Sequence, residues 1–158
     1  MLRVAAIAAT VIATVANVSN CHSADLAGEA TVIDGDTIEI NGQQIMLFGI
    51  DAPESDQICK YAGEAYHCGQ QSALALKRYI GTHAVTCDAR SWSYEHVLAV
   101  CMADDDDLSR LMVLNGQAFA DRPGSSDYTT DEADAQTTKR GIWRGEFVMP
   151  AAWRQGVR

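Results

Sequence analysis

The stretch "VIDGDTIEINGQQIMLFGIDAPE", Val32 to Glu54, decides the fold. It holds five carboxylates (Asp34, Asp36, Glu39, Asp51 and Glu54) and no Lys or Arg. Thr37 to Ile40 alternates polar and apolar residues, as do parts of Gln44 to Ile50. Asn41-Gly42 between them is a strong two-residue hairpin signal, because both positions tolerate positive φ. That turn pairs Ile40 with Gln43, Ile38 with Ile45 and Asp36 with Leu47, and it sets Asp34 opposite Gly49 with Asp51 just beyond. Side chains alternate faces along a strand, so an unbroken ladder puts Asp36 and Asp51 on one face at the hairpin's open end. Pro53 cannot donate to the ladder and turns the chain, leaving Glu54 on a loop beside that end. Two interpretations stand: a cation-binding and catalytic cluster, or the solvated acidic end of a hairpin.

Outward from the hairpin, Ala30 to Ile33 is a short β-like run. Gly63 to Ile80 has the period of a helix with Ala65, Ala73, Leu76 and Ile80 inward. His83 to Cys87 and Val97 to Met102 are two further strands. Asp107 caps a second helix through Leu114, closed by Asn115-Gly116. Thr129 or Thr130 starts a third helix through Arg140, closed by Gly141. A chain of 158 residues with no repeats suits one domain.

The first segment reads as a leader. Met1 to Arg3 is basic, Val4 to Val18 is apolar and small, and Ser23-Ala24 offers a small-residue exit. The expectation is a signal peptide over 1–24, a mature domain over 25–158, and a secreted or periplasmic location. An uncleaved anchor is the alternative, and "VSNC" ending at Cys21 weakly resembles a lipoprotein box, with Asn20 where a small residue is expected. Cleavage leaves Cys59, Cys68, Cys87 and Cys101, an even set that in an exported chain reads as two disulfides. Cys59 and Cys68 flank a short loop, and Cys87 and Cys101 end two β-like runs, so the local pairing 59–68 and 87–101 is expected. Ligation of one metal by four thiolates is the rival, disfavoured because no C-x-x-C pair occurs.

The formal net charge is -9. Proteins that bind phosphate backbones tightly present a basic face. Here adjacent basic residues occur only at Lys77-Arg78 and Lys139-Arg140. The balance disfavours tight, non-specific binding of DNA or RNA and leaves a metal-dependent site open.

The "DGDT" turn followed by "GIDAPE" resembles the staphylococcal nuclease (thermonuclease) family. The resemblance runs from about Glu29 to Arg154. It includes "LAVC", "DLSRLMVLNGQAFA" and "KRGIWRGEFVMPAAWR", with "CKYAGEAYHCGQQSALAL" looking like the disulfide-bearing version of exported bacterial members. It implies an α+β, mainly β fold: a five-stranded OB-type barrel with three helices. It implies calcium-dependent hydrolysis of phosphodiesters in DNA and RNA, with Asp36 and Asp51 as calcium ligands and Thr37 adjacent. A hard cation suits such carboxylate oxygens. Asp34 is the second acid of the turn, and Glu54 matches the glutamate that activates or orients the attacking water. Similar domains occur in bacterial exopolysaccharide-synthesis loci, which implies an accessory envelope role as a further option.

The resemblance also exposes a departure. The family's two arginines fall on Met46 and His96, and Glu95 stands where the second arginine's turn has glycine. Guanidinium donates fixed, permanently charged forks to phosphoryl oxygens. Loss of one such donor costs about 2.7–4 kcal/mol, roughly 10²–10³ in rate. Met46 cannot donate and His96 is at best a partial cation, so weak or lost hydrolysis is expected. Arg90, in the same loop as His96, is the first candidate to compensate, with Arg78 and Arg110 behind it. His67 and His83 read as surface or packing residues, Asp104 to Asp107 as a solvated turn entering a helix, and Trp143 and Trp153 as packing at the C-terminal end. His22 falls in the leader.

Overall fold

The computed structural model describes residues 26–158 except 94 and 95. The expected leader over 1–24, with Cys21 and His22, lies outside the described residues, as do Tyr94 and Glu95. The first strands are β1 (Ala27–Gly28), β2 (Ala30–Val32), β3 (Thr37–Ile40), β4 (Gln43–Leu47) and β5 (Ile50–Asp51). A small hairpin, β6 (Ile58–Tyr61) and β7 (Glu64–His67), leads into helix α1 (Cys68–Ile80). Strands β8 (Val85–Trp92), β9 (Val97–Ala103) and β10 (Asp106–Asp107) precede helix α2 (Leu108–Leu114). Strand β11 (Phe119–Ala120), helix α3 (Thr129–Thr137), a 3-10 turn over Gly141–Arg144 and helix α4 (Pro150–Arg154) complete the chain.

The main sheet has the order β1-β8-β9-β4-β3-β2, with β10 paired to β9. It curls into a nearly closed barrel. Five strands, β2, β3, β4, β8 and β9, form the expected barrel, and the two-residue β1 and β10 are additions at its ends. The central hairpin has the register the turn dictates: Ile40 opposes Gln43, Ile38 opposes Ile45 and Thr37 opposes Met46. Asn41 and Gly42 both take positive φ, 53° and 79°, as a type I′ turn requires. Strand β4 runs parallel to β9, with Met46 beside Leu98. Along β9, Val97, Ala99, Cys101 and Ala103 point inward onto Ile38, Ile45 and Leu47, and Leu76 of α1 with Leu108 and Met112 of α2 joins the same core. Among the described residues no helix is long and apolar enough to cross a membrane.

Four expectations are corrected. The helix expected from Gly63 begins at Cys68, because Ala62 and Gly63 take positive φ (51° and 83°) and turn the chain into the β6–β7 hairpin. Ala65 therefore lies exposed on a strand, and Ser72, Ala75, Leu76 and Ile80 form the buried face of α1. The strand expected through Ile50 breaks after Leu47, and Ile50–Asp51 pairs with β11 instead. The strand expected over His83 to Cys87 begins at Val85 and runs on to Trp92, with its register shifted between Ala89 and Ser91. The third helix stops at Thr137, ahead of the left-handed Lys139 and Gly141, and a fourth helix, α4, follows.

Both disulfides have the expected pairing. Cys59–Cys68 closes the β6–β7 hairpin onto the start of α1, with Cα atoms 5.6 Å apart. Cys87 and Cys101 face each other across β8 and β9 at 4.1 Å. The Cys87 N–H donates to Leu26 on the other side, so this is a non-hydrogen-bonded pair, where antiparallel Cα atoms approach closest. Replacing Cys59 and Cys68 together by Ser is expected to lower unfolding free energy by about 2–3 kcal/mol in denaturant melts, from the chain entropy of a short loop. Peptide mapping of the oxidised protein is expected to return these two linkages, and free thiols at any of the four positions would refute them.

Candidate active site

The site starts with the two acids of the Asp34-Gly35-Asp36 turn. The Asp36 N–H donates to Asp34 Oδ1 at 3.1 Å, which folds the turn on itself. Asp36 Oδ2 accepts the Ala52 N–H at 2.7 Å and its Oδ1 accepts the Thr37 hydroxyl at 3.1 Å. The first of these bonds ties the hairpin's open end to the "DAPE" turn, sixteen residues on. Gly35 lies under this junction: a Cβ there would come within 2.0 Å of Ser72 Oγ on α1 and 2.7 Å of the Ala52 Cβ. Only a residue without a side chain lets both acidic segments lie on α1.

Glu54 is held by a second set of contacts. Its N–H donates to the side-chain oxygen of Gln57 at 3.2 Å, and the Gln57 amide donates to the Val148 carbonyl at 2.7 Å. Gln57 is fully buried, so its amide acts as an internal staple between the Glu54 loop and the segment that enters α4. The Trp153 indole N–H donates to Asp56 at 3.0 Å and fixes α4 to the same loop. Gly69 permits the approach of α1 from below, since a Cβ there would lie 1.8 Å from the Glu54 carbonyl oxygen.

Asp34, Asp36, Thr37, Met46, Asp51 and Glu54 line one open cleft of about 460 Å³, together with Asp121 and Arg154. The sequence-predicted acids therefore meet, and Met46 stands among them. His96 does not line the cleft; it closes a turn in which Ser93 Oγ donates to the His96 carbonyl at 2.7 Å. None of the three compensating candidates reaches the cleft. Arg90 sits 3.6 Å from Asp88 with its guanidinium 6.0 Å from the Phe48 ring, Arg110 pairs with Asp131, and Arg78 lines a separate groove beside Arg144. Trp143 packs edge-on against Phe119 at 5.2 Å, and His83 pairs with Asp104 at the surface.

The cleft does hold a positive charge, and sequence reasoning missed it. Arg154 of α4 grips Asp51 with both arms, Nη1 to Oδ1 at 2.9 Å and Nη2 to Oδ2 at 3.2 Å, and Nη1 also donates to Glu54 Oε1. Hydrogen bonding to Asp51 first, and to Glu54 after it, raises the guanidinium's proton affinity beyond its ordinary value. The expectation that the site's positive charge is absent is corrected in this respect. It is absent from Met46 and His96, and one cation arrives from a residue 103 positions after Asp51. One signal was legible: Pro150 at the first helical position marks a helix start. Nothing in the local pattern says which acid such a short helix meets.

The family model described as Staphylococcal nuclease homologue matches residues 44–145. The chain is 35% identical over 136 residues to the succinoglycan biosynthesis protein ExoI of Rhizobium meliloti (strain 1021), covering 83% of this chain and 71% of the relative. The curled five-stranded barrel fits that match, and the matched family supports a nuclease-type hydrolase. The chain belongs to the staphylococcal nuclease family. That family binds nucleic acid and in general depends on calcium.

Calcium takes about six to eight oxygen ligands in an open shell. Here Arg154 engages both Asp51 oxygens, and Ala52 and Thr37 engage both Asp36 oxygens. Among the described residues no three His, Cys, Asp or Glu side chains converge as a ligand set. As arranged, the donor set does not fit the ion.

Burial is the main force on Asp36. It pushes the carboxyl up from 3.8 to about 7, against the opposing Ala52 N–H, and the nearby Asp34 charge adds to it. The native state therefore keeps a proton that the unfolded chain releases near its ordinary value. Stability from this group is full below pH 4 and is lost as pH rises toward 7. With a chelator present, Asp36→Asn is expected to match the wild type near pH 4. Above pH 7 it is expected to be more stable, by on the order of 1–3 kcal/mol. Thermal melts across this range check it, and a mutant that is less stable at pH 8 than at pH 4, relative to wild type, refutes it.

Proposed function

We propose that this chain is an exported nuclease-family protein with weak phosphodiester hydrolysis whose retained role is as a binding or accessory module in the cell envelope. The observation that carries the proposal is Met46. It lines the acidic cleft at the position where the family resemblance calls for a phosphate-gripping arginine, and it brings a thioether that donates no hydrogen bond. A phosphodiester entering this cleft meets Asp34, Asp36, Asp51, Glu54 and Asp121 with one guanidinium, already committed to two of them, for support. In such a field the anion is repelled before any step begins. Within this proposal Glu54 is the residue that orients water, Asp36 and Asp51 are the carboxylates that would hold calcium, with Thr37 adjacent and Asp51 open to it once Arg154 leaves, and His96 contributes little because it lies off the cleft. DNA or RNA would be held loosely, as the net charge of -9 suggests. Export is supported by the leader-like first 24 residues and by two disulfides, which persist in oxidising compartments. An envelope role is supported by the likeness to a protein named for succinoglycan biosynthesis.

An active phosphodiesterase with an altered phosphate site is the second reading, favoured by Arg154 at the cleft. The two separate in one assay, digestion of single-stranded DNA and of RNA with calcium supplied. Under the first, Met46→Arg is expected to raise cleavage by roughly 10² over wild type, as one recovered donor would. Adding Glu54→Ala is expected to abolish the gain. Under the second, wild type cleaves as fast as Met46→Arg, and Arg154→Gln removes that activity.

A further inference from the structure

The cleft gathers carboxylates and yet its donor set is closed to calcium, and on Asp51 the closing group is a side chain. We infer that Arg154 is the resident cation of the acidic cleft and sets its affinity for divalent metal, so that a metal ion binds only by displacing the guanidinium from Asp51. This rests on the cleft being the family's cation site, and it holds whether or not the chain hydrolyses anything.

The geometry supports displacement over coexistence. The fork occupies both oxygens of Asp51, at 2.9 and 3.2 Å, and one of its arms also holds Glu54. The fork takes about two of the four lone-pair sites of Asp51, and a guanidinium left in place would set a unit charge against a calcium ion's double charge at contact distance. Among the cleft's described lining residues Arg154 is the one cation beside five carboxylates. The guanidinium is also aimed. Trp153, buried, bonds Asp56; Pro150, buried, starts α4; Arg158 stacks 3.9 Å from the centre of the Trp153 ring and donates to the Trp153 carbonyl at 2.9 Å. These contacts hold α4 without Arg154's help. The Arg154 side chain is half exposed, so it can swing to water while its helix stays docked.

Two consequences follow from linkage. What the guanidinium contributes to holding Asp51 must be overcome by the metal, and what the metal contributes must be overcome by the guanidinium. Replacing the fork by a neutral side chain should therefore strengthen calcium binding, the opposite of what loss of a packing residue would do. Lysine keeps the charge but lacks the fork, so it should lie between.

Isothermal titration with calcium chloride alone, at pH 8 and fixed ionic strength, tests this on wild type, Arg154→Gln, Arg154→Lys and Arg154→Gln with Asp51→Asn. The expected result is that Arg154→Gln binds calcium about tenfold or more tightly than wild type, with Arg154→Lys intermediate. Adding Asp51→Asn should remove the gain. Calcium binding by Arg154→Gln no tighter than wild type, including none by either, overturns the inference, and so does a gain that survives Asp51→Asn. The Trp153 indole N–H resonance reports whether α4 remains docked, and Arg154→Lys carries the test should the glutamine variant undock it. No nucleic acid is present, so failure here is distinct from failure of the Met46→Arg cleavage assay.

Discussion

One hydrogen bond, from the Ala52 N–H to Asp36 Oδ2, joins the two acidic motifs. On one side of it stands the hairpin, whose register is fixed by the Asn41-Gly42 turn and by the alternation of Ile38, Ile40, Ile45 and Leu47 into the core. On the other stands the "DAPE" turn, which must leave the ladder to bring Asp51 and Glu54 around. The bond has to be made in a half-buried place beside a second acid, and the high proton affinity of Asp36 follows from that. Gly35 and Gly69 are secondary to the same demand, since each removes a side chain that would push one acidic segment off α1. Burial makes charge on Asp36 costly, and a cation placed near such acids lowers that cost.

That relief can come from a mobile ion or from the chain itself. A divalent ion brings two charges, accepts a flexible oxygen shell and is subject to its concentration outside. A tethered guanidinium brings one charge, a planar fork suited to a carboxylate, and a local concentration set by the fold. The chain's own solution costs conformational freedom in a five-residue helix near the C-terminus. Gln57, Trp153 and Arg158 meet that cost with contacts that do not involve the acids lining the cleft.

What was legible in the sequence was what is local. The Asn41-Gly42 turn, the Asp107 cap and the disulfide pairs Cys59–Cys68 and Cys87–Cys101 each depend on residues close in the chain or on neighbouring strands. The misreadings came where local signals competed. Glu64 to His67 carries no helix-breaking residue, so the helical period of the following segment seemed to extend through it, while the left-handed pair Ala62-Gly63 was turning the chain back onto β6. The break after Leu47 was hidden because Ile50 looks like one more strand residue; its partner is Ala120, seventy residues away.

Arg154 was hidden for a deeper reason. The family pattern located the cations at Met46 and His96 by position, and their loss looked like a net loss of charge from the site. Charge in a folded protein is a property of place, and three dimensions allow a residue from the far end of the chain to stand beside Asp51. The substitution is not equivalent, however. An arginine at Met46 would sit on the rigid ladder between β3 and β9, in the wall of the same acidic cleft, rather than on a short helix reaching in from outside the sheet. Arg154 spends its fork on Asp51 and Glu54, so its charge is committed to those carboxylates and little of it is left for a phosphoryl group. On the proposed reading, the same guanidinium that balances the cleft's acids also withholds them from an incoming phosphodiester.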